Sequence, residues 1–467
     1  MGQNSTDPIL YLFFLYSYNS ERWLMISETK DSRKTKILVI NLSNPLSHGG
    51  AAIAVSLMKN LAVISEAEVS LMATRDFDVS VYTQNYGFNS ELFIKHTWFR
   101  CRKSTIATLF ASMGPAARAY FSCVWFNLLS KISSKGTDIY HDYDIVLDLS
   151  SDSLNEYYGL VYPLFSLFQL DLMLLSKKKI VVCPASIGPF KNHVMKRLVG
   201  RVLSKTDLVI AREETTLDFL REIGVTEHKL HCAADLAFLF EPVSKESAVE
   251  IVSSLGIHFG GRPLIGVAPS SEIFRYCFNN IAEPQRKYET YVRLMTRVTD
   301  FIVETLGADV ILIPHFVFPN EFIKNDTIAS QDIYSQLKNK ARVHILSTDY
   351  RANEVKGVIA ICEMVVSCRM HAAIAAASSA VPTVALSFGH KFHSVLGKMM
   401  GQDRCIVKTD ADYLTVLSNL EQTILYTWEN RFLIREELAQ KCLVVKEKAL
   451  SSFVKVKALL KQSNHPA

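Results

Sequence analysis

Several features that would place a 467-residue chain in a familiar class are missing or scarce here. The nine cysteines contain no C-x-x-C pair and several fall inside apolar runs, which argues against a disulfide framework and against a zinc site. They read as reduced core residues of a cytoplasmic protein. There is no lysine-arginine tail, and a formal charge of +5 from 51 basic and 46 acidic residues is too small and too dispersed to call for a nucleic-acid partner. A long uninterrupted apolar run is also absent. Residues 9–16 are too short to span a bilayer, no Lys or Arg precedes them and no small-residue cleavage motif follows, so they read as part of an N-terminal extension over 1–34. The apolar stretch 106–129 is broken by Pro115 and Arg118, and 159–175 by Pro163, Gln169 and Asp171. Both read as buried or surface-lying helices, with peripheral membrane contact left open. No G-x-G-x-x-G occurs to signal a dinucleotide, and no repeat or low-complexity tract is present.

What the chain does have is alternation. At 49% hydrophobic and 21% charged it is long enough for two domains, each with its own core. Strand patterns at 36–43, 78–83, 143–150, 179–183, 207–211 and 229–233 are spaced by helical ones, among them 49–64 and 217–223. A polar, Gly-Gly-containing stretch at 241–261 reads as a linker. Beyond it strands at 264–268, 310–314, 343–346, 364–367 and 383–386 alternate with helices at 288–306, 332–339, 353–361 and 372–380. Strands separated by helices of this length make βαβ units and parallel sheets. The fold class is therefore α/β, with two doubly wound Rossmann-like domains at 35–245 and 262–409. Residues 410–467 read as C-terminal helices able to cross back to the first domain.

The chemistry concentrates at strand exits. Arg369 and His371 follow the apolar 364–367 strand at once, an alanine-rich helix comes next, and Lys391 follows the strand after it. In open parallel sheets, ligands bind outside the carboxyl ends of the strands. A capped carbonyl, a satisfied helix histidine or a solvated lysine is the better account of any one of the three alone. Three cations at neighbouring exits favour an anion site, because a phosphate or carboxylate offsets their desolvation. Arg212 is a second arginine at a strand exit, and a surface pair with Glu213 or Glu214 explains it equally well. Gly49 and Gly50 place backbone N–H groups at a helix start, suited to an anion or a sugar hydroxyl. His315 and Asp326 flank the exit of the 311–314 strand. Asp152 sits in the polar Ser-Asp-Ser run after the 143–150 strand. His390 and His393 lack a third ligand, so no metal is expected.

Several motifs resemble those of the polysaccharide pyruvyl transferase family. Ser367-Cys368-Arg369-Met370-His371-Ala372-Ala373 is similar to that family's S-x-R-L-H motif, and Val381-Pro382 and Lys391 follow as the family's V-P and lysine do. Gly188-Pro189-Phe190, Ala211-Arg212-Glu213, Asp235 with Ala237-Phe238, and Pro314-His315 with Asn325-Asp326 match in the same order, between residues 36 and 391. The resemblance implies a GT-B-like pair of domains facing a cleft, with the first on the acceptor side and the second on the donor side. It implies transfer of a pyruvyl group from phosphoenolpyruvate to a sugar hydroxyl pair of a glycan or lipid-linked saccharide. No cofactor is implied beyond that donor. Arg212, Arg369, His371 and Lys391 would hold the donor, with His371 and Arg369 catalytic and Arg212, Lys391, His315, Asp152, Gly49 and Gly50 binding substrate. Two departures stand out. Gly49-Gly50-Ala51-Ala52 replaces the family's G-D-E-A, and Ser150-Ser151-Asp152 replaces a glycine triplet. If the lost acid acts on the acceptor hydroxyl, then Asp152, His48 or another group must replace it, or activity is altered. The alternatives are a GT-B glycosyltransferase with a nucleotide-sugar donor and a non-catalytic glycan-binding relative. The implied setting is the cytoplasm, with the inner face of the membrane left open.

Overall fold

A computed structural model describes residues 34–64, 67–73, 80–89, 93–94, 138–157, 159–319, 321 and 325–461. Thr35–Ala467 forms one compact unit. Its first sheet contains β1 (Lys36–Ile40), β2 (Glu68–Met72), β3 (Phe93–Ile94), β4 (Ile145–Asp148), β5 (Lys179–Ala185), β6 (Leu208–Ala211) and β7 (Leu230–Cys232). The second contains β8 (Leu264–Ala268), β9 (Asp309–Leu312), β10 (Val343–Ile345), β11 (Met364–Ser367), β12 (Thr383–Ser387) and β13 (Ile406–Lys408). The orders are β3-β2-β1-β4-β5-β6-β7 and β10-β9-β8-β11-β12-β13, and the pairings within each sheet are parallel. Both halves are thus doubly wound α/β units, as the alternation predicts. The order reverses beside β1 in one sheet and beside β8 in the other, and the loops leaving β1 and β4, or β8 and β11, open the crevice where such sheets take ligands.

Strands buried on both faces explain the uninterrupted apolar runs: every position of β4, β6, β8, β11 and β12 is buried. The helix Met370–Ala377 shows why alanine was chosen. Ala372, Ala373, Ala376 and Ala377 are fully buried, two of them in a core that spans both lobes and two in a core of the second. Small side chains let this helix lie between the two lobes, and so Arg369 and His371 at its start are held at their junction.

The structure departs from the sequence expectation in places. The strand expected at 78–83 is replaced by the helix Ser80–Tyr86, with 78–79 outside the described residues. Tyr82 and Tyr86 stand one turn apart with ring centroids 5.9 Å from each other, and the Tyr82 hydroxyl donates to the Ser43 carbonyl at 2.7 Å. Burying that tyrosine stabilises the helical period over the β-branched pattern. The strand beside β1 comes earlier, at β2, whose alternation in EVSLM is short enough to escape notice. β13, at three residues, is likewise too short to show a strand period. The C-terminal stretch is two helices, Tyr413–Glu429 and Arg431–Lys461, which meet at Asn430. The second packs on the helix His48–Ile64, on the turn Leu236–Leu239 and on β5. The apolar stretches 9–16 and 106–129 lie outside the described residues, whereas 161–175 forms the helix Val161–Leu175.

Candidate active site

Arg212 follows β6 directly and is the bulkiest of the fully buried side chains, at 2% exposure. A buried guanidinium must have its N–H groups and its charge met by protein. Its Nε donates to Ser186 Oγ at 2.7 Å, and one terminal nitrogen donates to Asp235 Oδ2 at 2.8 Å and to Ser151 Oγ at 3.2 Å. Glu213 Oε2 lies 3.4 Å from Nε. The arginine does pair with Glu213, but in the interior and not at the surface. Ser151 adopts φ 55°, the left-handed region that favours glycine, at a position where the resemblance places glycine. Its hydroxyl, bonded to Arg212, offsets that strain.

Asp235 caps the turn Leu236–Leu239, accepting from the Ala237 N–H at 2.9 Å. Burial would raise its carboxyl, but His371 and Arg212 outweigh that and hold it at about 2. His371, from the second lobe, brings Nε2 to 3.5 Å from Asp235 Oδ2. Lys391, also from the second lobe, donates to Asp152 Oδ2 at 2.7 Å. Desolvation acts to raise the Asp152 carboxyl, yet the Lys391 and Arg212 cations hold it well below the usual carboxylate range. The Asp152 side chain is 36% exposed, so this is a pair that solvent and a ligand can reach. Arg212, His371 and Lys391 are therefore gathered around Asp152 and Asp235, two carboxylates of the first lobe.

Arg369 takes other partners. Its Nε and one terminal nitrogen form a fork on Asp326, at 3.0 Å and 2.7 Å, and its other terminal nitrogen reaches Glu272 Oε2 at 3.1 Å. The guanidinium carbon lies 4.4 Å from the centre of the Phe316 ring. Asp326 is fully buried and also accepts from the N–H groups of Ser271 (2.8 Å), Phe316 (2.8 Å) and His315 (3.3 Å). One carboxylate thus ties together the exits of β8, β9 and β11. Each lobe has the same device, a strand-exit arginine held by an aspartate and a glutamate.

The two lobes also meet through histidines. The His48 N–H donates to the His315 carbonyl at 3.2 Å, and the two rings stand edge to face with centroids 5.4 Å apart. Burial lowers His48 to about 4. Burial, joined by His48, His371 and Arg369, holds His315 well below its ordinary value. Both imidazoles are neutral at neutral pH, and His48 Nδ1 is buried with no hydrogen-bond partner. Gly49 lies against the His371 ring so closely that a Cβ there would run into it. Gly49 is therefore a packing requirement for His371. The Gly50 N–H donates to Ser47 Oγ at 3.2 Å. A small pocket is lined by His48, Gly49 and Phe240 from one lobe and by His315, Lys356 and His371 from the other. Burial lowers the Lys356 ammonium to about 8, and it donates to the Phe240 carbonyl.

Sequence reasoning brought forward Arg212, Arg369, His371, Lys391, His315, Asp152, Gly49 and Gly50. It did not single out Glu272 or Lys356; it gave Glu213 as a surface partner for Arg212, Asp326 as a flank of the 311–314 strand exit and Asp235 as a motif match. A buried arginine at a strand exit is itself the signal for the carboxylates among them, since it requires acidic partners nearby. Among the described residues no group of three or more His, Cys, Asp or Glu is arranged to hold a metal ion.

The family model for polysaccharide pyruvyl transferase matches residues 48–390. The amylovoran biosynthesis protein AmsJ of Erwinia amylovora is 22% identical over 271 residues, covering 56% of this chain and 61% of AmsJ. The match thus spans less than two thirds of that relative's length. Among solved structures, a Listeria monocytogenes protein assigned as a UDP-N-acetylglucosamine 2-epimerase superposes with a TM-score of 0.59 at 13% identity, over 92% of this chain and 98% of that one. HepE of Anabaena, in complex with UDP and glucose, gives 0.54 at 12% identity, over 92% and 100%. The UDP-GlcNAc 2-epimerase of Neisseria meningitidis gives 0.55 at 11%, over 91% and 100%. At these identities the likeness is one of fold, the two-domain GT-B arrangement.

Proposed function

The chain belongs to the polysaccharide pyruvyl transferase family, and from that membership we propose that it moves a pyruvyl group from phosphoenolpyruvate onto two hydroxyls of a sugar in a cell-surface polysaccharide or its lipid-linked precursor. The observation that carries this reading is the convergence of Arg212, His371 and Lys391, from three separate strand exits, on the partly exposed Asp152 and the ionised Asp235. Phosphoenolpyruvate carries a carboxylate and a phosphate, so it can exchange with Asp152 for Lys391 without leaving a buried charge unpaired.

With Nε2 turned to Asp235, the Nδ1 nitrogen of His371 is the one to deliver a proton to the methylene carbon of the enol, whose central carbon then becomes electrophilic. The first sugar hydroxyl adds to that carbon and gives up its proton. The C–O bond to phosphate breaks next, with Lys391 and Arg212 offsetting charge on the departing group, and the second hydroxyl closes the ketal and returns its proton to His371. Arg369 shapes the site through Asp326, which fixes the loop carrying His315. On the acceptor side Ala51 and Ala52 bring no acid, so Asp152 or His48 takes the hydroxyl proton. The reaction uses no cofactor beyond the donor. The seven cysteines described are all free, in keeping with a reducing compartment, and we assign the work to the cytoplasm at the membrane's inner face.

Phosphate release from phosphoenolpyruvate, measured with and without candidate glycans, tests the reading. Glycan-dependent release by the wild type that His371→Ala abolishes is the expected result. Glycan binding without phosphate release would overturn it in favour of a non-catalytic binding protein. Turnover of a nucleotide-sugar in its place would point to a glycosyltransferase.

A further inference from the structure

The helix Arg431–Lys461 has two apolar faces, and the body of the protein covers one of them. Ile434, Leu438, Val445 and Phe453 are buried in the core that spans both lobes. On the other face Phe432, Leu433, Leu443, Val444, Leu450 and Val454 are exposed, from 40% at Leu450 to 63% at Val444. These six are most of the large hydrophobic side chains exposed among the described residues; the others are Leu175, Val194 and Leu414. Scattered exposed hydrophobics are ordinary, but a concentration on one helix marks a surface that something covers. Phe432, Leu443, Leu450 and Val454 fall on one line of a 3.6-residue helix, and Lys457 and Lys461 continue that line.

The charge identifies the occupant. From residue 441 to 461 the helix carries Lys441, Lys446, Lys448, Lys455, Lys457 and Lys461 against a single acid, Glu447. Lys446 and Lys448 pair with Glu241 and Glu214, at 3.3 Å and 3.0 Å, while Lys441, Lys455, Lys457 and Lys461 are exposed. A second copy of the chain laid on this face would set one lysine row against another. An anionic bilayer meets both features at once, because the apolar stripe enters the interface while the lysines reach up to lipid phosphates. Among the described residues no helix is long and apolar enough to cross a membrane, so this helix would lie in the plane of the interface.

We propose that residues 441–461 form a docking face for an anionic membrane surface, seating Leu443, Val444, Leu450 and Val454 among the lipids. The inference does not depend on the pyruvyl-transfer reading, since it concerns a different face of the protein and its readout is binding.

Co-sedimentation of the full chain with phosphatidylcholine vesicles, and with mixed phosphatidylcholine and phosphatidylglycerol vesicles, tests it. Binding is expected to the mixed vesicles and to weaken as salt is raised. The triple variant Lys455→Glu, Lys457→Glu, Lys461→Glu should bind about a hundredfold more weakly. Leu443→Ser with Leu450→Ser and Val454→Ser should bind at least about tenfold more weakly at unchanged far-UV circular dichroism. The changed side chains are exposed, so the fold is expected to survive in both. Equal sedimentation with neutral and anionic vesicles, or none with either, overturns the proposal. So does a concentration-dependent dimer, seen by analytical ultracentrifugation without lipid, that the serine variant abolishes, because the face would then be a self-association surface.

Discussion

Removing the Asp326 carboxylate should show whether Arg369 serves mainly as a binding group or as a tie within the second lobe. Arg369 is 7% exposed and Asp326 is fully buried. Asp326→Ala leaves a desolvated guanidinium with Glu272, and it strips an acceptor from the N–H groups of Ser271, His315 and Phe316. Breaking a buried pair in this way costs about 3–5 kcal/mol. Asp152→Ala removes the partner of Lys391 where the carboxylate is 36% exposed but the ammonium only 10%, and there a loss smaller than that for Asp326→Ala is expected, about 1–2 kcal/mol. Replacing both members of the buried pair, Asp326→Leu with Arg369→Leu, should recover part of the lost stability, because the guanidinium is no longer stranded, although Glu272 and the three N–H groups still lose a partner. Urea unfolding of the four proteins, followed by far-UV circular dichroism, reads these differences as shifts in midpoint at constant slope. Equal small losses for Asp326→Ala and Asp152→Ala would refute the reasoning. A double variant no more stable than Asp326→Ala would refute it too.

Other expectations follow from the same geometry. Gly49→Ala should displace the His371 ring and remove glycan-dependent phosphate release while costing little stability, since the ring sits at a partly exposed edge; a kinetic assay beside a melting curve checks this. His48 is held neutral by burial to about pH 4, whereas the unfolded chain protonates it from about 6.5 downward. The unfolded state therefore binds the extra proton in that window, so stability is full above pH 6.5 and falls as the pH drops toward 4, by about 3 kcal/mol for this group. His48→Gln should flatten that part of the stability–pH curve, and an unchanged slope between pH 6.5 and 4 would contradict the assignment.

Local pattern was enough to determine that this chain is two parallel α/β units and that cations gather where strands end. Both follow from short-range physics. Apolar runs of strand length between helical periods leave few alternatives to βαβ winding, and a strand's exit is set by where its apolar run stops, as at Ser367 before Arg369. The order of motifs from Gly188 to Lys391 likewise needed no coordinates. What tertiary structure alone decided is which cation faces which carboxylate. Arg369 and His371 are two residues apart, yet the first serves Asp326 of its own lobe and the second reaches Asp235 of the other. Arg212 and Lys391 stand far apart along the chain and meet the same loop, at Ser151 and Asp152. Pairing of buried charge depends on the direction of side chains around a sheet edge and on how much water remains there. Neither is encoded in spacing along the sequence, which is why Glu272 and Lys356 became visible, and Glu213 proved to be an interior partner of Arg212, only once the lobes were folded against each other.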